Sequence, residues 1–284
     1  MSVKDRPKLG RGLNDVSRFF LTPAARCGQE PREGTVPLAR PASICVCHPA
    51  SPLIQSAFTA NLALETARNR RKAVVWDCSD QENARLTALM GSLLETGPGQ
   101  GGASGRVGLY GLPEIVIHDG RAGWGFQGAE TDDGVRMDEG DGREPLVIVN
   151  ACPTIEFFLA APDADEHVVI TGTGEKDLLQ SYAFIRVIDA RSPRCRVSLI
   201  FDHAEDEVRQ QRIIQRFSAF VLARTGRSVR HLGSLVHDEA LERSIAEGRP
   251  LVLQQGPSEA RSSFAGICAL LIEGCEHAHE GAGS

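Results

Sequence analysis

The chain has 284 residues, of which 42% are hydrophobic and 24% are charged, and its formal net charge at pH 7 is −6. This composition is typical of a globular protein with one large domain, and it excludes a broadly basic surface for nucleic acid. No apolar run approaches the roughly 18 residues of a membrane span and no signal peptide is seen, so we expect a cytoplasmic protein without a stable membrane anchor.

The N-terminal segment differs in character from the rest of the chain. The stretch GLNDVSRFFL carries apolar residues at helical spacing, with a further phenylalanine beside them: Leu13, Val16, Phe20 and Phe19. A helix this short is marginal in water and needs a surface to dock on, which is either its own domain or a partner protein. We predict a partner-binding docking peptide at 1–22, followed by a linker at 23–42 that contains proline, glycine and arginine.

From residue 43 to residue 275 strand-like and helix-like segments alternate. The predicted strands, in chain order, are SICVC, AVVWDC, EIVIH, PLVIVNAC, HVVITGT, RVSLIFD and SVRHLGSLV. The predicted helices are SAFTANLALETARN, QENARLTALMG, EKDLLQSYAFIRVIDA, DEVRQQRIIQRFSAFVLART, DEALERSIAEG and SEARSSFAGICALLIEG. Short runs rich in valine and isoleucine between helices indicate a buried, mostly parallel sheet. The expected fold class is α/β and doubly wound, with an N-terminal extension.

Two segments of this region are expected to stay outside the core. Residues 97–145 include GPGQGGASG and GAETDDGVRMDEGDGRE, whose glycines and acidic residues predict a surface excursion. The last residues, 276–284, are polar or small, and they predict a disordered tail.

The segment HPASPLIQ joins the first strand to its helix. A phosphate-binding loop normally lies in this strand–loop–helix layout, where glycines let backbone N–H groups surround the phosphates and a lysine supplies positive charge. HPASPLIQ contains neither glycine nor lysine. The layout of a nucleotide site is therefore present without its chemistry.

The chain from about residue 43 to residue 273 resembles the MinD/ParA family of deviant Walker P-loop ATPases, and most closely its flagellar-number-regulator branch (FlhG). The similarity rests on three segments in the order of the family: TANLALETARNRRKAVVWDC, FLAAPDADEHVVITGTGEKDLLQSYAFIRVI and HLGSLVHDEALERSIAEGRPLV. The resemblance implies a P-loop NTPase fold and, in a working member, binding of ATP with magnesium.

The family's phosphate loop, KGGVGKT, matches seven residues here that form a degenerate loop: Ala50, Ser51, Pro52, Leu53, Ile54, Gln55 and Ser56. The three glycines are replaced by Ser51, Pro52 and Ile54. Proline has no N–H to offer a phosphate, and a β-branched side chain disfavours positive φ. Gln55 stands at the phosphate-binding lysine, and Ala50 at the lysine that reaches across the family's dimer. Ser56, at the magnesium position, is the conservative replacement.

The other nucleotide motifs are altered as well. Asp77 is retained, but Ser79 stands where the resemblance implies the aspartate that positions the attacking water. Asn150 takes the place of the magnesium-linked aspartate, and Asp202 that of the adenine-recognising asparagine. Phosphoryl transfer depends on positioning and electrostatic stabilisation, so these losses together predict a protein that is not an enzyme.

The expected function is that of a catalytically inactive spatial regulator or adaptor that uses protein–protein contacts and needs no cofactor. The resemblance implies partners in flagellar, pilus or polar assembly, with a GTPase as one candidate. Because the family closes its dimer around ATP, a monomer or an ATP-independent dimer is expected. The alternative is a working switch ATPase that binds ATP and magnesium through an atypical loop.

A third interpretation involves a metal. The strand ends carry Cys47, His48, Cys78 and Cys152, and the carboxyl ends of neighbouring strands converge in a doubly wound sheet. Thiolates and imidazole suit zinc or an iron–sulfur cluster. Cysteine is also commonly buried as a small apolar residue, and the chain has no CxxC pair, which favours structural thiols.

Overall fold

The computed structural model describes residues 42–79, 86–90, 93–95, 105–107, 115–119, 144–160, 163–202 and 207–280. The predicted docking peptide, its four apolar residues, and the linker up to residue 41 lie outside these ranges.

Within the described ranges nine strands form one sheet: β1 (Ser43–Cys47), β2 (Ala73–Asp77), β3 (Leu94–Glu95), β4 (Gly105–Val107), β5 (Ile115–Asp119), β6 (Leu146–Asn150), β7 (Glu166–Thr171), β8 (Arg196–Asp202) and β9 (Arg230–Leu235). Their order across the sheet is β3-β4-β5-β2-β6-β1-β7-β8-β9. The seven strands from β5 to β9 in this order are parallel, while β3 and β4 attach antiparallel at the β5 edge. The predicted doubly wound, mostly parallel α/β sheet is confirmed.

The helices of the described chain are α1 (Pro52–Arg68), α2 (Leu86–Leu89), α3 (Ile155–Ala160), α4 (Glu175–Arg191), α5 (Glu207–Thr225), α6 (Glu239–Ala246) and α7 (Glu259–Glu280), with a 3-10 turn at Leu251–Leu253. Helix α3 was not expected from the sequence, because its six residues are too few for a helical period to be recognised. None of these helices has the length and apolarity needed to cross a membrane.

Each face of the sheet carries its own apolar core. On one face α1 and α7 pack together, and the rings of Phe58 and Phe264 lie 5.8 Å apart. On the other face residues of α3, α4 and α5 cover a second cluster, in which Phe158 meets Phe184 edge to face at 5.1 Å. Because both faces are covered, every residue of β1 and β6 is buried.

Helix α1 begins earlier than the sequence predicted. The helix was expected from Ser56, but it starts at Pro52, with Ser51 as its N-cap. Proline is favoured in the first helical turn and serine is a good N-cap, and no glycine interrupts the following residues. The last five of the seven residues of the degenerate loop are therefore helical.

Three predicted boundaries change. The predicted excursion at 97–145 contributes β4 to the sheet as well as β5, which matches the predicted strand EIVIH, because Val107 and residues 115–117 bury apolar side chains in the core. Helix α7 continues to Glu280, so the tail predicted at 276–284 is helical in its first half. Ala42, assigned to the linker, is buried in the first core.

Candidate functional site

The candidate site lies where the carboxyl ends of β2, β6 and β1 meet the start of α1. Strand β6 lies between β2 and β1, and Asp77, the last residue of β2, is the register partner of Asn150, the last residue of β6. Both side chains are buried, as are those of Gln55 and Ser56 in the first turns of α1. The sheet topology thus brings together residues that are up to 95 positions apart in the chain.

Gln55 and Asn150 form the centre of the site. Nε2 of Gln55 donates to Oδ1 of Asn150 at 2.8 Å and to the carbonyl oxygen of Ala151 at 2.6 Å. Nδ2 of Asn150 donates to Oγ of Ser56 at 2.9 Å and to Oδ1 of Asp77 at 2.8 Å. The hydroxyl of Thr59, one turn further along α1, lies 2.9 Å from the carbonyl oxygen of Gln55 and 3.3 Å from Oδ1 of Asn150, and it donates its proton to one of them. Buried amides of this kind are stable only when their donors and acceptors are used, as they are here.

Asp77 is stabilised by neutral donors. Its Oδ1 accepts hydrogen bonds from Nδ2 of Asn150 and from the backbone N–H and hydroxyl of Ser79, the latter at 2.8 Å. Its Oδ2 accepts from the backbone N–H of Leu86 at 2.9 Å. Ser79, which stands at the water-positioning site implied by the resemblance, therefore donates its hydrogen bonds to Asp77. Among the described residues no cationic side chain pairs with Asp77, and a buried carboxylate in that position requires several such donors.

The N–H groups of the loop 48–55 are turned toward the protein itself. Two of its eight residues are prolines, which leaves six N–H groups, and five of these six donate to groups of the loop itself. The N–H of His48 donates to Oε1 of Gln55, and those of Ala50 and Ser51 both donate to Nδ1 of His48. Donors that a phosphate loop would offer to its ligand are thus occupied.

His48, Asp202 and His237 form a chain of hydrogen bonds beside the loop. Nδ1 of His48 accepts two backbone N–H groups, so the ring carries its proton on Nε2. That Nε2 lies 3.1 Å from Oδ2 of Asp202. Nε2 of His237 lies 2.5 Å from Oδ1 of the same carboxylate.

The two histidines also keep Asp202 ionised. Burial raises the pKa of Asp202, but hydrogen bonds from His237 and His48 outweigh burial and hold that pKa well below its usual range. The hydrogen bond to Asp202 raises the pKa of His237 above its ordinary value. Asp202 therefore remains a carboxylate at neutral pH.

Sequence reasoning missed two residues of this site. These are His237, which follows β9, and Thr59, which lies within the predicted helix SAFTANLALETARN. The neighbouring Asp238 is the N-cap of α6, and its side chain accepts from the N–H of Leu241 at 3.0 Å. The signal for His237 was its position two residues after the end of β9, whose carboxyl end adjoins that of β8.

The predicted metal candidates are distributed over different surroundings. Cys47 and Cys78 lie in the second apolar core, and burial raises the pKa of Cys47 above the range of a ready thiolate. His48 is used by Asp202 and the loop, and Cys152 is half-buried. Within the described parts of the chain, no three histidine, cysteine or acidic side chains are grouped to hold a metal ion.

Comparison with solved structures identifies the architecture. No protein-family model matches the chain, and no curated protein is significantly similar to it. The MinD cell division protein of Aquifex aeolicus is 12% identical, with a TM-score of 0.59, over 82% of this chain and 97% of that one. A ParA family ATPase from Chlorobium tepidum is 12% identical, with a TM-score of 0.52, over 82% and 99% of the two chains.

The chain has the MinD/ParA fold. A third structure with this fold, the ATP complex of McdA from Cyanothece, is 13% identical, with a TM-score of 0.56, over 82% and 96% of the two chains. The alignments span nearly the full length of each relative. At these identities the similarity extends to the P-loop NTPase fold, and the chemistry must be argued from the residues of the site.

Proposed function

We propose that this protein is a pseudo-ATPase of the MinD/ParA fold, which neither binds nor hydrolyses ATP and acts as a cytoplasmic spatial regulator or adaptor through protein–protein contacts. The observation that carries the proposal is the hydrogen bond between the side-chain amides of Gln55 and Asn150. These two residues stand where the resemblance puts the phosphate-binding lysine and the magnesium-linked aspartate.

The loop geometry supports the absence of phosphate binding. A phosphate cradle needs inward-pointing N–H groups and room for the anion. Here five N–H groups of the loop 48–55 already donate hydrogen bonds to acceptors in the same loop. From Pro52 onward the loop is replaced by helix α1. A phosphate would have to break these bonds before it could form its own.

The charge of the site also opposes a nucleotide. The side chains that form the network at Asn150 and the histidine pair at Asp202 include two carboxylates, Asp77 and Asp202, and neither lysine nor arginine. A triphosphate carries several negative charges, and catalysis of its transfer requires cations or a metal to offset them. With amides in place of the lysine and the metal carboxylate, the described side chains of these two networks do not supply this compensation.

The active role that we propose is contact with a partner protein of the flagellar, pilus or polar-assembly type, with a GTPase as one candidate. Residues 1–22 supply the docking element, since the sequence has Leu13, Val16 and Phe20 at helical spacing, with Phe19 adjacent. Because closure around ATP is not available to such a protein, it is a monomer or an ATP-independent dimer.

Calorimetry with ATP and ADP in the presence of magnesium tests the first part. We expect no heat of binding up to millimolar nucleotide. Binding in the micromolar range that is lost in Ser56→Ala would overturn the proposal and establish a switch ATPase with an atypical loop. Zinc or iron assayed in the same preparation, and lost in Cys47→Ala, would instead establish the metal-binding alternative.

Deletion of residues 1–22 tests the second part. The free energy of unfolding of the remaining chain should be unchanged within about 0.5 kcal/mol, because a docking peptide for a partner contributes little to its own domain. A chain in which residues 13–20 are scrambled is the control for composition. A loss above about 2 kcal/mol would place the peptide in the domain and remove the basis for partner docking.

A further inference from the structure

A surface that is both apolar and basic lies over the second core, where α4 and α5 pack side by side. The rings of Tyr182 on α4 and Phe220 on α5 meet there, with their centres 4.9 Å apart. Leu179 and Phe220 are large apolar side chains that remain 59% and 40% exposed. An exposed apolar group that spans two elements and is bordered by polar side chains is typical of a contact site for another protein.

Arginines border the two rings. The guanidinium of Arg224 lies 5.6 Å from the centre of the Phe220 ring, and Nη1 of Arg186 donates to the hydroxyl of Tyr182 at 3.4 Å. Arg216, one turn before Phe220, is exposed. On each helix these residues recur every three or four positions, so they share one side of it. We define the α4–α5 patch by six residues: Leu179, Tyr182, Arg186, Arg216, Phe220 and Arg224.

The charge of this surface is one-sided, although the whole chain carries a net charge of −6. Residues 178–188 of α4 include one arginine and residues 208–225 of α5 include four, and neither stretch contains a lysine or an acidic residue. The acidic residues of α4, which are Glu175, Asp177 and Asp189, lie toward its two ends. The middle of the two helices is therefore positively charged.

Two arginines of the patch keep their charge available for a ligand. Among the described residues no carboxylate forms an ion pair with Arg216 or Arg224, and Arg224 instead contacts the face of Phe220. Tyrosine, phenylalanine and arginine are enriched at protein interfaces, whereas lysine, glutamate and aspartate are depleted there. The composition of the patch is that of an interface.

An acidic helix with one apolar face fits this surface. Helices that pack side by side leave a groove between them, into which a third helix packs with residues at positions i, i+3 or i+4, and i+7. Its apolar side chains would cover Leu179 and the two rings. Its carboxylates would accept hydrogen bonds from arginines on both sides of the groove, since the arginine fork matches carboxylate oxygens.

Two other anionic surfaces fit less well. Duplex DNA is held mainly through its phosphates, and these would leave the apolar surface of Leu179 and Phe220 uncovered. Insertion into a membrane uses apolar side chains that project from one helix, whereas Tyr182 is half-buried against a neighbouring helix. A protein helix covers the apolar and the basic parts of the patch together.

We propose that the α4–α5 patch binds an acidic amphipathic helix presented by a partner protein. The proposal rests on the proposed adaptor role and deepens it, because it names a contact surface and the chemistry of the segment that occupies it. The patch shares no residue with the docking peptide at 1–22 or with the network at Asn150.

A synthetic acidic peptide tests the patch in calorimetry with the full chain. The probe has capped ends and roughly 18 residues, enough for a helix, with leucines at helical spacing and glutamates beside them on an alanine background. One counterpart has lysine at each glutamate, and another has the same composition in scrambled order. We expect the acidic probe to bind at least tenfold more tightly than either. A smaller preference, or no binding of the acidic probe below about 1 mM, would overturn the proposal.

Charge reversal of the patch separates recognition from a structural effect. The double variant Arg216→Glu, Arg224→Glu should bind the acidic probe at least tenfold more weakly and the lysine counterpart at least threefold more tightly. A variant that merely fails to fold cannot gain affinity for the lysine peptide. Arg243→Glu, at an exposed position of α6 on the other face of the sheet, is the matched control and should change neither affinity. The same loss in both variants would contradict the proposal.

The apolar contact is tested on α5 itself. Phe220→Ala should weaken the acidic probe at least fivefold. Leu222→Ala should not, because Leu222, although 50% exposed, lies about 200° further round the helix and away from the patch. An equal effect of the two changes would mean that the probe does not sit between α4 and α5.

Vesicles of phosphatidylglycerol and duplex DNA test the other classes of partner. If the natural chain binds either of them, loses that binding in the charge-reversed variant and does not bind the acidic probe, the proposal is wrong. The ATP calorimetry and the deletion of residues 1–22 involve none of the six patch residues. Failure of the patch can therefore be told apart from failure of the proposed function.

Discussion

Nε2 of Gln55 and Oδ1 of Asn150 are joined by a buried hydrogen bond of 2.8 Å, which links the first turn of α1 to the end of β6. Each side chain makes a further hydrogen bond: Gln55 accepts from the N–H of His48, and Asn150 donates to Asp77. The two amides therefore fix the loop, α1 and two strands at once. A change in either residue leaves several buried groups without partners.

Asn150→Asp should be strongly destabilising. The substitution removes Nδ2 of Asn150, which donates to Oγ of Ser56 at 2.9 Å and to Oδ1 of Asp77 at 2.8 Å. It also places a second carboxylate beside Oδ1 of Asp77. Buried uncompensated charge costs about 3–5 kcal/mol, and we expect a loss of this size in urea denaturation at pH 7. The same amide-to-acid change at the exposed Gln211 should cost less than about 0.5 kcal/mol.

The pH dependence of this variant checks the cause. Repulsion between two carboxylates raises the pKa of the pair in the folded protein, so folding takes up a proton as the pH falls. The destabilisation by Asn150→Asp should therefore shrink between pH 7 and pH 5. A loss that stays constant over this range would mean that steric changes, and not charge, explain it.

Gln55→Lys combined with Asn150→Asp should be less destabilising than the sum of the single changes. The lysine alone removes the acceptor of the His48 N–H and buries an ammonium group, whereas in the double variant that ammonium faces the new carboxylate. We expect a coupling free energy of about 1–3 kcal/mol in a double-mutant cycle measured by urea denaturation. Additive effects would mean that the two side chains do not meet in solution.

The fold could be predicted because its signals are local and repeated. Strands such as SICVC and PLVIVNAC are continuous apolar runs, and helices separate them, which only a sheet covered on both faces satisfies. The order of these elements then matched the MinD/ParA pattern. The β3–β4 edge escaped prediction because its strands have two and three residues and carry little periodicity.

The site could be predicted as degenerate, but its actual contacts could not. The sequence indicates that the glycines, the lysine and the metal-linked carboxylate of the family are missing. It does not reveal which groups become the hydrogen-bond partners of the residues that replace them. Gln55 contacts Asn150, which is 95 positions away in the chain, and His48 contacts Asp202, which is 154 positions away. Both contacts depend on how the strands that carry these partners are placed in the sheet. The early start of α1 followed from Ser51 and Pro52, whose capping signals were outweighed by the expectation of a loop.

The contact between His237 and Asp202 should make stability depend on pH. The hydrogen bond raises the pKa of His237 above 6.5, so its contribution is complete below that value and is lost as the pH rises through the folded pKa. The pKa of Asp202 is lowered from 3.8, so its contribution is present above that value and is lost as the pH falls further. The pair therefore stabilises the fold most between about pH 4 and pH 6.5.

His237→Gln provides the measurement. The difference in unfolding free energy between the natural chain and this variant should be about 1 kcal/mol larger at pH 6 than at pH 9. An NMR titration of the His237 ring should give a pKa above that of His231, for which burial lowers the pKa. A His237 ring that titrates below His231 would contradict the contact.

His48→Phe should release the loop. The ring of His48 accepts the N–H groups of Ala50 and Ser51 and donates to Asp202, and phenylalanine has a similar shape without these nitrogens. With both N–H groups returned to solvent, we expect their hydrogen exchange to accelerate at least tenfold and stability to fall by about 2 kcal/mol. His231→Phe, at an exposed position of β9, is the matched control and should change neither. Unchanged exchange at Ala50 and Ser51 would mean that the N–H groups of this loop are not held by His48 and remain free for an anion, which would return nucleotide binding to consideration.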